Sequence, residues 1–153
     1  MYRLSHWRAL ELHPHPFIPA GNQARWNSQG VIMAYTSEHL ALAALELLNY
    51  WNSYPNMNGY LIFSADISES AVETLPDTVD PHDYQQTRPF GDTWVQEQRS
   101  LVLKVPSVVL PMSFNYLINP RHPQMSSFTY SNDGDFTFDR RVGTLLELAR
   151  TRP

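Results

Sequence analysis

The chain has 153 residues, a formal net charge of −4 at pH 7 and a sequence pI of about 5.8. The length suits one domain, and the 42% share of hydrophobic residues allows a packed core, which excludes a disordered chain. The 11 lysine and arginine residues form no cluster, which argues against a nucleic-acid-binding surface. The absence of cysteine excludes disulfide bonds, thiolate zinc sites and a cysteine nucleophile.

No apolar run is long enough to cross a membrane, and the first ten residues, MYRLSHWRAL, lack the apolar core of a signal peptide. A chain without cysteine also suits a reducing compartment. We therefore expect a cytoplasmic, soluble protein that binds neither membranes nor nucleic acids directly. We expect residues 1–153 to form a single domain.

The first part of the chain predicts a loop, a strand and a helix. Residues 13–23, HPHPFIPAGNQ, hold three prolines and a glycine and predict a loop. Residues 31–36, VIMAYT, form a short apolar run that is typical of a buried strand. Ser37 can cap a helix, which we expect to run to about Trp51. Residues 60–67, YLIFSADI, predict the next strand.

The middle of the chain looks less regular. Prolines and scattered acids in residues 68–98 predict an irregular, solvated segment with at most one helical turn. Residues 101–111, LVLKVPSVVLP, predict a strand and a second short piece bounded by prolines, and residues 115–123, NYLINPRHP, predict a loop. A hairpin is predicted over residues 127–139, where SFTYS and DFTFD flank NDG.

The last segment, RRVGTLLELAR at residues 140–150, predicts a helix capped by Asp139. The predicted fold class is α+β, with small mixed sheets and flanking helices. The glycines are scattered, so no phosphate-binding loop is present, and neither an H-E-x-x-H nor a G-x-S-x-G motif occurs. His13 and His15 in HPHP could bind a metal, but the prolines between them favour a plain loop, and we predict no metal site.

A single acid interrupts an otherwise apolar helix. Glu46 is the only charged residue in positions 40–65. One interpretation is a solvent-facing stripe formed by His39, Glu46, Asn49 and Ser53. The other is the wall of a cleft, since a solvated helix face usually carries several charges. Arg25 is the residue that could face Glu46, although on its own it also suits the surface before a turn.

Residues 24–48, ARWNSQGVIMAYTSEHLALAALELL, resemble the signature of the RES-domain family, the toxins of Xre–RES toxin–antitoxin pairs. The matching positions are Arg25-Trp26-Asn27, Gly30, Tyr35, Ser37 and Glu46. A second block at residues 103–123, LKVPSVVLPMSFNYLINPRHP, resembles the family's Val-Pro-Ser followed by Asn-Tyr-Leu-x-Asn-Pro-x-His-Pro. GDTW at 91–94 and FTFDRRV at 136–142 fit the same pattern, so the resemblance covers nearly the whole chain in order.

One departure from the pattern lies just before Arg25. Members of the family usually have Gly-Gly there, and this chain has Gln23-Ala24. A positive φ that glycine tolerates is costly for these residues, so we expect the loop that presents Arg25 to run differently.

The resemblance implies a fold similar to that of ADP-ribosyltransferases, with NAD⁺ as a substrate and no cofactor. It implies functional residues at Arg25, Tyr35, Glu46 and Ser107. It also implies an Xre-family antitoxin that blocks the active site. Whether the chain forms a homodimer or a higher hetero-oligomer with that antitoxin is left open.

The chemistry of NAD⁺ cleavage asks for the same residue types. Nicotinamide leaves a pyridinium as a neutral molecule, so one carboxylate suffices where glycoside hydrolysis uses two. We expect Glu46 to stabilise an oxocarbenium-like ribose and Arg25 to clamp a phosphate. Tyr35 would stack on nicotinamide or ribose, and Ser107 would hydrogen-bond the nicotinamide amide or a phosphate oxygen.

Plainer interpretations remain beside these. Tyr35 suits a half-buried strand aromatic and Ser107 a turn serine. Trp26 and Asn27 are predicted to contact NAD⁺, although Trp26 also suits the core and Asn27 a loop cap. We expect Asn119 to brace the NPRHP segment.

Three functions follow from this sequence. The first is a toxin that cleaves NAD⁺ with water or phosphate as the acceptor and so arrests growth. The second is a mono-ADP-ribosyltransferase that modifies a host metabolic enzyme, and the third is a non-enzymatic binding module. Arginine-directed transferases tend to carry an acid two residues before the catalytic Glu, and that position is Ala44 here.

Overall fold

The computed structural model describes residues 1–48 and 58–150. Within them, seven strands form one sheet, and four α-helices and two short 3₁₀ turns accompany it. The strands are β1 (Tyr2–His6), β2 (Ala34–Ser37), β3 (Tyr60–Ser64), β4 (Val72–Thr74), β5 (Val102–Pro106), β6 (Phe114–Ile118) and β7 (Ser131–Phe136). The helices are α1 (Trp7–Leu12), α2 (Leu40–Leu48), α3 (Tyr84–Glu97) and α4 (Arg140–Arg150). The predicted α+β class is confirmed, and none of the described helices has the length and apolarity needed to span a bilayer.

The strand order is β4-β5-β6-β2-β1-β3-β7. The neighbours are antiparallel except for β4 and β5, which are parallel. β1 pairs with β3 along its whole length but with β2 only through Tyr2 and Ser37. The two strands therefore diverge beyond that pair, and a cavity opens between them.

Alternation of side chains along the central strands produces a core on both faces of the sheet. One cluster includes Phe17, Ala34, Phe63, Val102 and Ile118. The other includes Trp26, Trp94, Val95, Leu103, Val105 and Leu117. Tyr35 lies directly opposite Leu117, and Ser37 lies opposite Asn115. β2 and β6 thus present Tyr35, Ser37 and Asn115 on the face that α3 covers.

The prediction of an irregular segment at residues 68–98 is wrong, because it contains β4 and the 14-residue helix α3. Asp83 caps α3 through its carboxylate, which accepts from the backbone N–H of Gln85 at 2.8 Å. Pro89 lies inside the helix and removes one backbone donor. The fully buried Trp94 offsets this loss by packing α3 onto the sheet.

Two further predictions fail in the C-terminal half. Residues 115–118 are strand and not loop, because NYLI pairs with both β2 and β5. The predicted hairpin at residues 127–139 is absent, and Ser131–Phe136 forms one strand, β7, that pairs with β3. Gly134, with φ +102°, lies at an irregularity in that pairing. The NDG segment therefore forms a bulge within β7 and not the predicted hairpin turn.

The helix cap predicted at Ser37 is also wrong. Ser37 is the last residue of β2, where its hydroxyl donates to the Asn115 side chain, and α2 begins only at Leu40. The predicted end of that helix near Trp51 lies outside the described residues.

Three strands, the first loop and the last helix agree with the predictions, whereas β1 and α1 were not predicted. Strands lie within residues 31–37, 60–67 and 101–106, and residues 13–23 form no helix or strand. The second piece predicted after Pro106 is a turn. Asp139 caps α4, since its carboxylate accepts from the backbone N–H of Arg141 at 2.8 Å.

Gly91 allows α3 to approach the loop that carries Arg25. A Cβ at this position would lie 1.9 Å from the backbone oxygen of Trp26. Replacing glycine by alanine inside a helix normally stabilises a protein by about 1 kcal/mol. We expect Gly91→Ala to do the opposite, lowering the free energy of unfolding by about 1–3 kcal/mol through overpacking. Denaturant unfolding checks this, with Thr93→Ala on the exposed side of α3 as the control; an unchanged or raised stability for Gly91→Ala would contradict this packing.

Candidate active site

Helix α2 turns Glu46 towards the protein. Leu42 and Ala43, one turn before it on the same side, are buried. The neighbouring Leu45, about 100° around the helix from Glu46, is 37% exposed. A solvated stripe through Glu46 is therefore the wrong interpretation; the Asn49 and Ser53 of that stripe lie outside the described residues.

Two side chains from other elements hold the Glu46 carboxylate. The Ser107 hydroxyl donates to Oε1 at 2.9 Å, and the Asn115 amide Nδ2 donates to the same oxygen at 2.6 Å. The Ser37 hydroxyl donates to Asn115 Oδ1 at 2.8 Å, which turns the NH₂ group of Asn115 towards the acid. The carboxylate is thus fixed from β2, β6 and the turn after β5.

Ser107 is both a turn serine and a contact of Glu46. Its hydroxyl oxygen accepts from the backbone N–H groups of Val109 and Leu110 at 3.1 and 3.2 Å. With those acceptor positions occupied, the hydroxyl hydrogen points to Glu46. The Ser107 side chain is buried, so the predicted hydrogen bond from its hydroxyl to NAD⁺ would compete with the bond to Glu46.

The loop that presents Arg25 is braced by α3. The Thr87 hydroxyl donates to the Arg25 carbonyl at 2.7 Å, and Arg88 Nε donates to the Ala24 carbonyl at 3.0 Å. Neither Gln23 nor Ala24 has a positive φ. The strain expected from the loss of Gly-Gly is therefore absent, and the loop takes a conformation open to ordinary residues.

The Arg25 guanidinium is held by neutral groups. Nη1 donates to the Pro81 carbonyl at 3.0 Å, and Nη2 donates to the Tyr84 hydroxyl at 3.1 Å. Its carbon also lies 4.5 Å from the centre of the Tyr84 ring. Among residues 1–48 and 58–150, no carboxylate forms an ion pair with Arg25. The Arg25 guanidinium therefore has no opposite charge paired with it among those residues.

Tyr35 ties the same loop to the sheet. Its hydroxyl accepts from the Trp26 backbone N–H at 2.9 Å and donates to Asn27 Oδ1 at 2.7 Å. Trp26 is 2% exposed within the core, and Asn27 donates to the carbonyl of Val31. Both residues are buried and support the Arg25 loop, and their contacts with NAD⁺ remain predictions.

Two cavities meet at Glu46. The first, of about 250 Å³, lies between β1, β2 and α2 and includes Arg3, Tyr35, Ser37 and Asn115 in its lining. The second, of about 440 Å³, includes Arg25, Tyr84, Arg88, Val108 and Val109. Ala24 and Glu46 line both. The structure therefore places Arg25 and Tyr35 at two adjoining cavities that share Glu46, and Ser107 is hydrogen-bonded to that acid.

The sequence model of the RES domain matches residues 1–139 of this chain. The chain belongs to the RES domain family. Its fold is thereby similar to that of ADP-ribosyltransferases, as predicted from the motifs around Arg25 and Asn115.

Three bacterial relatives can be aligned with about three quarters of this RES domain chain. A protein named Prs ADP-ribosylating toxin from a Sphingobium species is 33% identical over 77% of this chain and 79% of its own. A Toxin Res from Pseudomonas putida is 31% identical over 77% of this chain and 84% of its own. A Toxin Res from Yersinia enterocolitica is 29% identical over 77% and 82%.

Two residues of the RES domain site were missed by the sequence predictions. Asn115 lay in a segment that was predicted as loop, so nothing indicated that it would face Glu46. Arg3 donates from Nη1 to the Tyr35 carbonyl at 2.7 Å, and burial lowers its pKa to about 10. Its Nε is buried without a partner among the described residues. No element was predicted at the start of the chain, so no signal pointed to Arg3.

Other residues considered in the sequence lie away from the cleft. Asn119 is fully buried and braces the turn after β6, since its side chain donates to Val95 O and accepts from the Arg121 N–H. Nδ1 of His15 accepts from the backbone N–H of Phe17, and burial lowers the pKa of His15. Within the described part of the RES domain, no group of three or more His, Asp or Glu side chains is placed to hold a metal.

Proposed function

We propose that this RES domain cleaves the nicotinamide–ribose bond of NAD⁺, passes ADP-ribose to water or phosphate, and so arrests growth of the cell that makes it. The observation that carries the proposal is the Glu46 carboxylate, fixed by Ser107 and Asn115 where the two cavities meet. An immobile acid in a cleft of this size suits a reaction that develops positive charge on a sugar.

Glu46 supplies the electrostatic stabilisation. Both of its hydrogen bonds in the described part of the chain end on Oε1. Oε2 can then accept from a ribose hydroxyl or face the oxocarbenium-like carbon as the C–N bond breaks. The bonding electrons pass to the nicotinamide nitrogen, which becomes neutral, so no side chain has to protonate the leaving group.

Arg25 and Tyr35 hold the substrate on either side of that acid. The uncompensated guanidinium of Arg25 can give two parallel hydrogen bonds to a phosphate. The Tyr35 ring lines the smaller cavity and can pack on nicotinamide or ribose. Arg3 holds the β2 backbone at Tyr35 and keeps that ring in place.

A second candidate is transfer of ADP-ribose to a protein. The 33% identical relative named Prs ADP-ribosylating toxin favours it, since the two reactions share one cleft and differ in the acceptor. Ala44, where an arginine-directed transferase would tend to carry a second acid, is buried in this structure. An acceptor other than arginine would therefore be expected, such as a side chain of a host metabolic enzyme.

We also propose an Xre-family antitoxin as the partner of this domain. Two of the relatives are named Toxin Res, and a cleft that consumes NAD⁺ must be blocked until its activity is needed. The antitoxin would cover the cleft around Glu46. Co-expression of such a partner would restore growth and protect NAD⁺ levels.

The test in cells is the NAD⁺ content of bacteria after induction of this chain. We expect rapid NAD⁺ loss with the unchanged protein and none with Glu46→Gln. Labelled NAD⁺ in a cell extract identifies the acceptor, because a labelled protein band indicates transfer and labelled free ADP-ribose or its phosphate indicates the first reaction. Growth arrest with intact NAD⁺ and no labelled protein would contradict both.

Asn115 should matter for turnover because it fixes the acid. We expect Asn115→Ala to lower kcat for nicotinamide release by about tenfold to a hundredfold, which corresponds to the loss of about 1.5–3 kcal/mol from a hydrogen bond to a charged group. Ser37→Ala removes only the bond that orients Asn115 and should cost less. Steady-state kinetics with a thermal melt check this; an Asn115→Ala protein with unchanged kcat would show that the bond to Glu46 is dispensable.

A further inference from the structure

The cavity that Arg25 and Glu46 line, of about 440 Å³, contains a second guanidinium beside that of Arg25. The Arg88 carbon lies 4.7 Å from the centre of the Tyr84 ring, and the Arg25 carbon lies 4.5 Å from the same centre. Tyr84 is 45% exposed, and both arginines line the cavity that Glu46 borders. One aromatic ring thus holds two cations at the wall of one cleft.

Neither cation is neutralised in the described part of the chain. Arg88 donates from Nε to the Ala24 carbonyl at 3.0 Å, and with the Gln23 amide oxygen turned towards it, Nη1 and Nη2 donate to that oxygen at 3.0 and 3.1 Å. Neither Arg25 nor Arg88 forms an ion pair with a carboxylate of residues 1–48 or 58–150. In a chain of net charge −4, two adjacent uncompensated arginines at a cavity indicate a doubly charged anionic ligand.

We propose that Arg88 and Arg25, spaced by Tyr84, form a diphosphate subsite that makes the cleft selective for a dinucleotide. The inference rests on the proposed function and deepens it. Glu46 lines this cavity together with both arginines, so a substrate whose ribose sits at Glu46 has its phosphates within the same cavity as Arg25 and Arg88. Its adenosine then lies against the apolar side chains of Val108 and Val109.

The test compares two substrates with the same scissile bond. Nicotinamide mononucleotide has one phosphate and no adenosine, whereas NAD⁺ has the diphosphate. We expect Arg88→Gln to lower kcat/KM for NAD⁺ by about 10- to 100-fold, as expected for lost hydrogen bonds to a charged group, and to lower kcat/KM for the mononucleotide by a smaller factor, since only the lost bond to the Ala24 carbonyl affects both substrates. The matched control is Arg121→Gln, because Arg121 is an exposed arginine that does not line the cavity. It should change kcat/KM for neither substrate.

A purely structural role for Arg88 would give a different pattern. If Arg88 acts only by holding the Ala24 carbonyl, Arg88→Gln disturbs the position of Arg25, and kcat/KM falls equally for both substrates. That result would overturn the subsite. Arg88→Lys keeps the charge and should recover part of the NAD⁺ effect if the diphosphate is the ligand. If Arg88→Lys lowers kcat/KM for NAD⁺ as much as Arg88→Gln does, that result would also count against the proposal.

Binding of ADP-ribose separates this inference from the proposed activity. Calorimetry with the Glu46→Gln protein needs no turnover, and adding Arg88→Gln should weaken ADP-ribose binding by at least about tenfold. Unchanged binding, or no binding of ADP-ribose to begin with, would overturn the subsite. If Glu46→Gln binds ADP-ribose tightly and in an Arg88-dependent way, but the unchanged protein releases no nicotinamide from NAD⁺, the proposed activity alone would be overturned.

Discussion

Glu46→Gln is expected to keep the fold and to lower kcat for NAD⁺ cleavage by about 10²–10³, the cost of losing one preorganised electrostatic group. The Ser107 hydroxyl and the Asn115 amide can still donate to the carbonyl oxygen of glutamine, so the side chain stays in place and only its charge is lost. Nicotinamide release under substrate saturation measures kcat, and a thermal melt checks the fold.

The control for this variant is Glu97→Gln, which removes an exposed acid near the end of α3. It should leave nicotinamide release unchanged. If Glu46→Gln cleaves NAD⁺ as fast as the control, Glu46 has no part in the reaction, and the bonds from Ser107 and Asn115 are merely structural.

Arg25→Ala is expected to raise KM for NAD⁺ by about 10- to 100-fold and to change kcat less, because a phosphate clamp acts equally on the ground state and the transition state. In the proposed clamp, Arg25 binds phosphate groups, which do not change in the reaction. Initial rates over a range of NAD⁺ concentrations give both constants.

Arg25→Lys sharpens this prediction. Lysine keeps the charge but cannot bond two phosphate oxygens in parallel, so it should recover KM only in part. A fall in kcat with KM unchanged would place Arg25 in the transition state and remove it from the role of a clamp. The Arg25 carbonyl, which accepts from Thr87, belongs to the backbone and is retained in both variants.

The sequence named candidate residues for the site better than it predicted how they are arranged. Arg25, Tyr35 and Glu46 could be named because each has a residue type that the reaction needs and because they match a motif in order. Their meeting in one cleft depends on β1 diverging from β2 after a single residue pair, which no local pattern indicates.

The helix α3 shows why the rest was missed. Residues 68–98 look polar and carry Pro89, so local propensity argues against a helix there. What stabilises α3 is tertiary: Trp94 is fully buried against the sheet, and Gly91 admits the Trp26 carbonyl. Because α3 supplies Tyr84, Thr87 and Arg88, the whole wall behind Arg25 was invisible to a reading of the sequence alone.

Asn115 was missed for a related reason. NYLINPRHP holds two prolines and two asparagines, which favour a loop, yet its first four residues are strand because β2 and β5 pair on both sides. Strand period then turns Asn115 to the same face as Leu117, towards the covered side of the sheet. The pairing partners decide which side chain faces Glu46, and they are far away in the sequence.

The most direct measurement is the release of nicotinamide when the purified chain is mixed with NAD⁺ alone, followed for the unchanged protein and for Glu46→Gln. Catalytic release by the first and at least about a hundredfold less by the second is what a fixed carboxylate in this cleft predicts. No release by the unchanged protein, with its fold confirmed, would instead identify a binding module and contradict the proposed reaction.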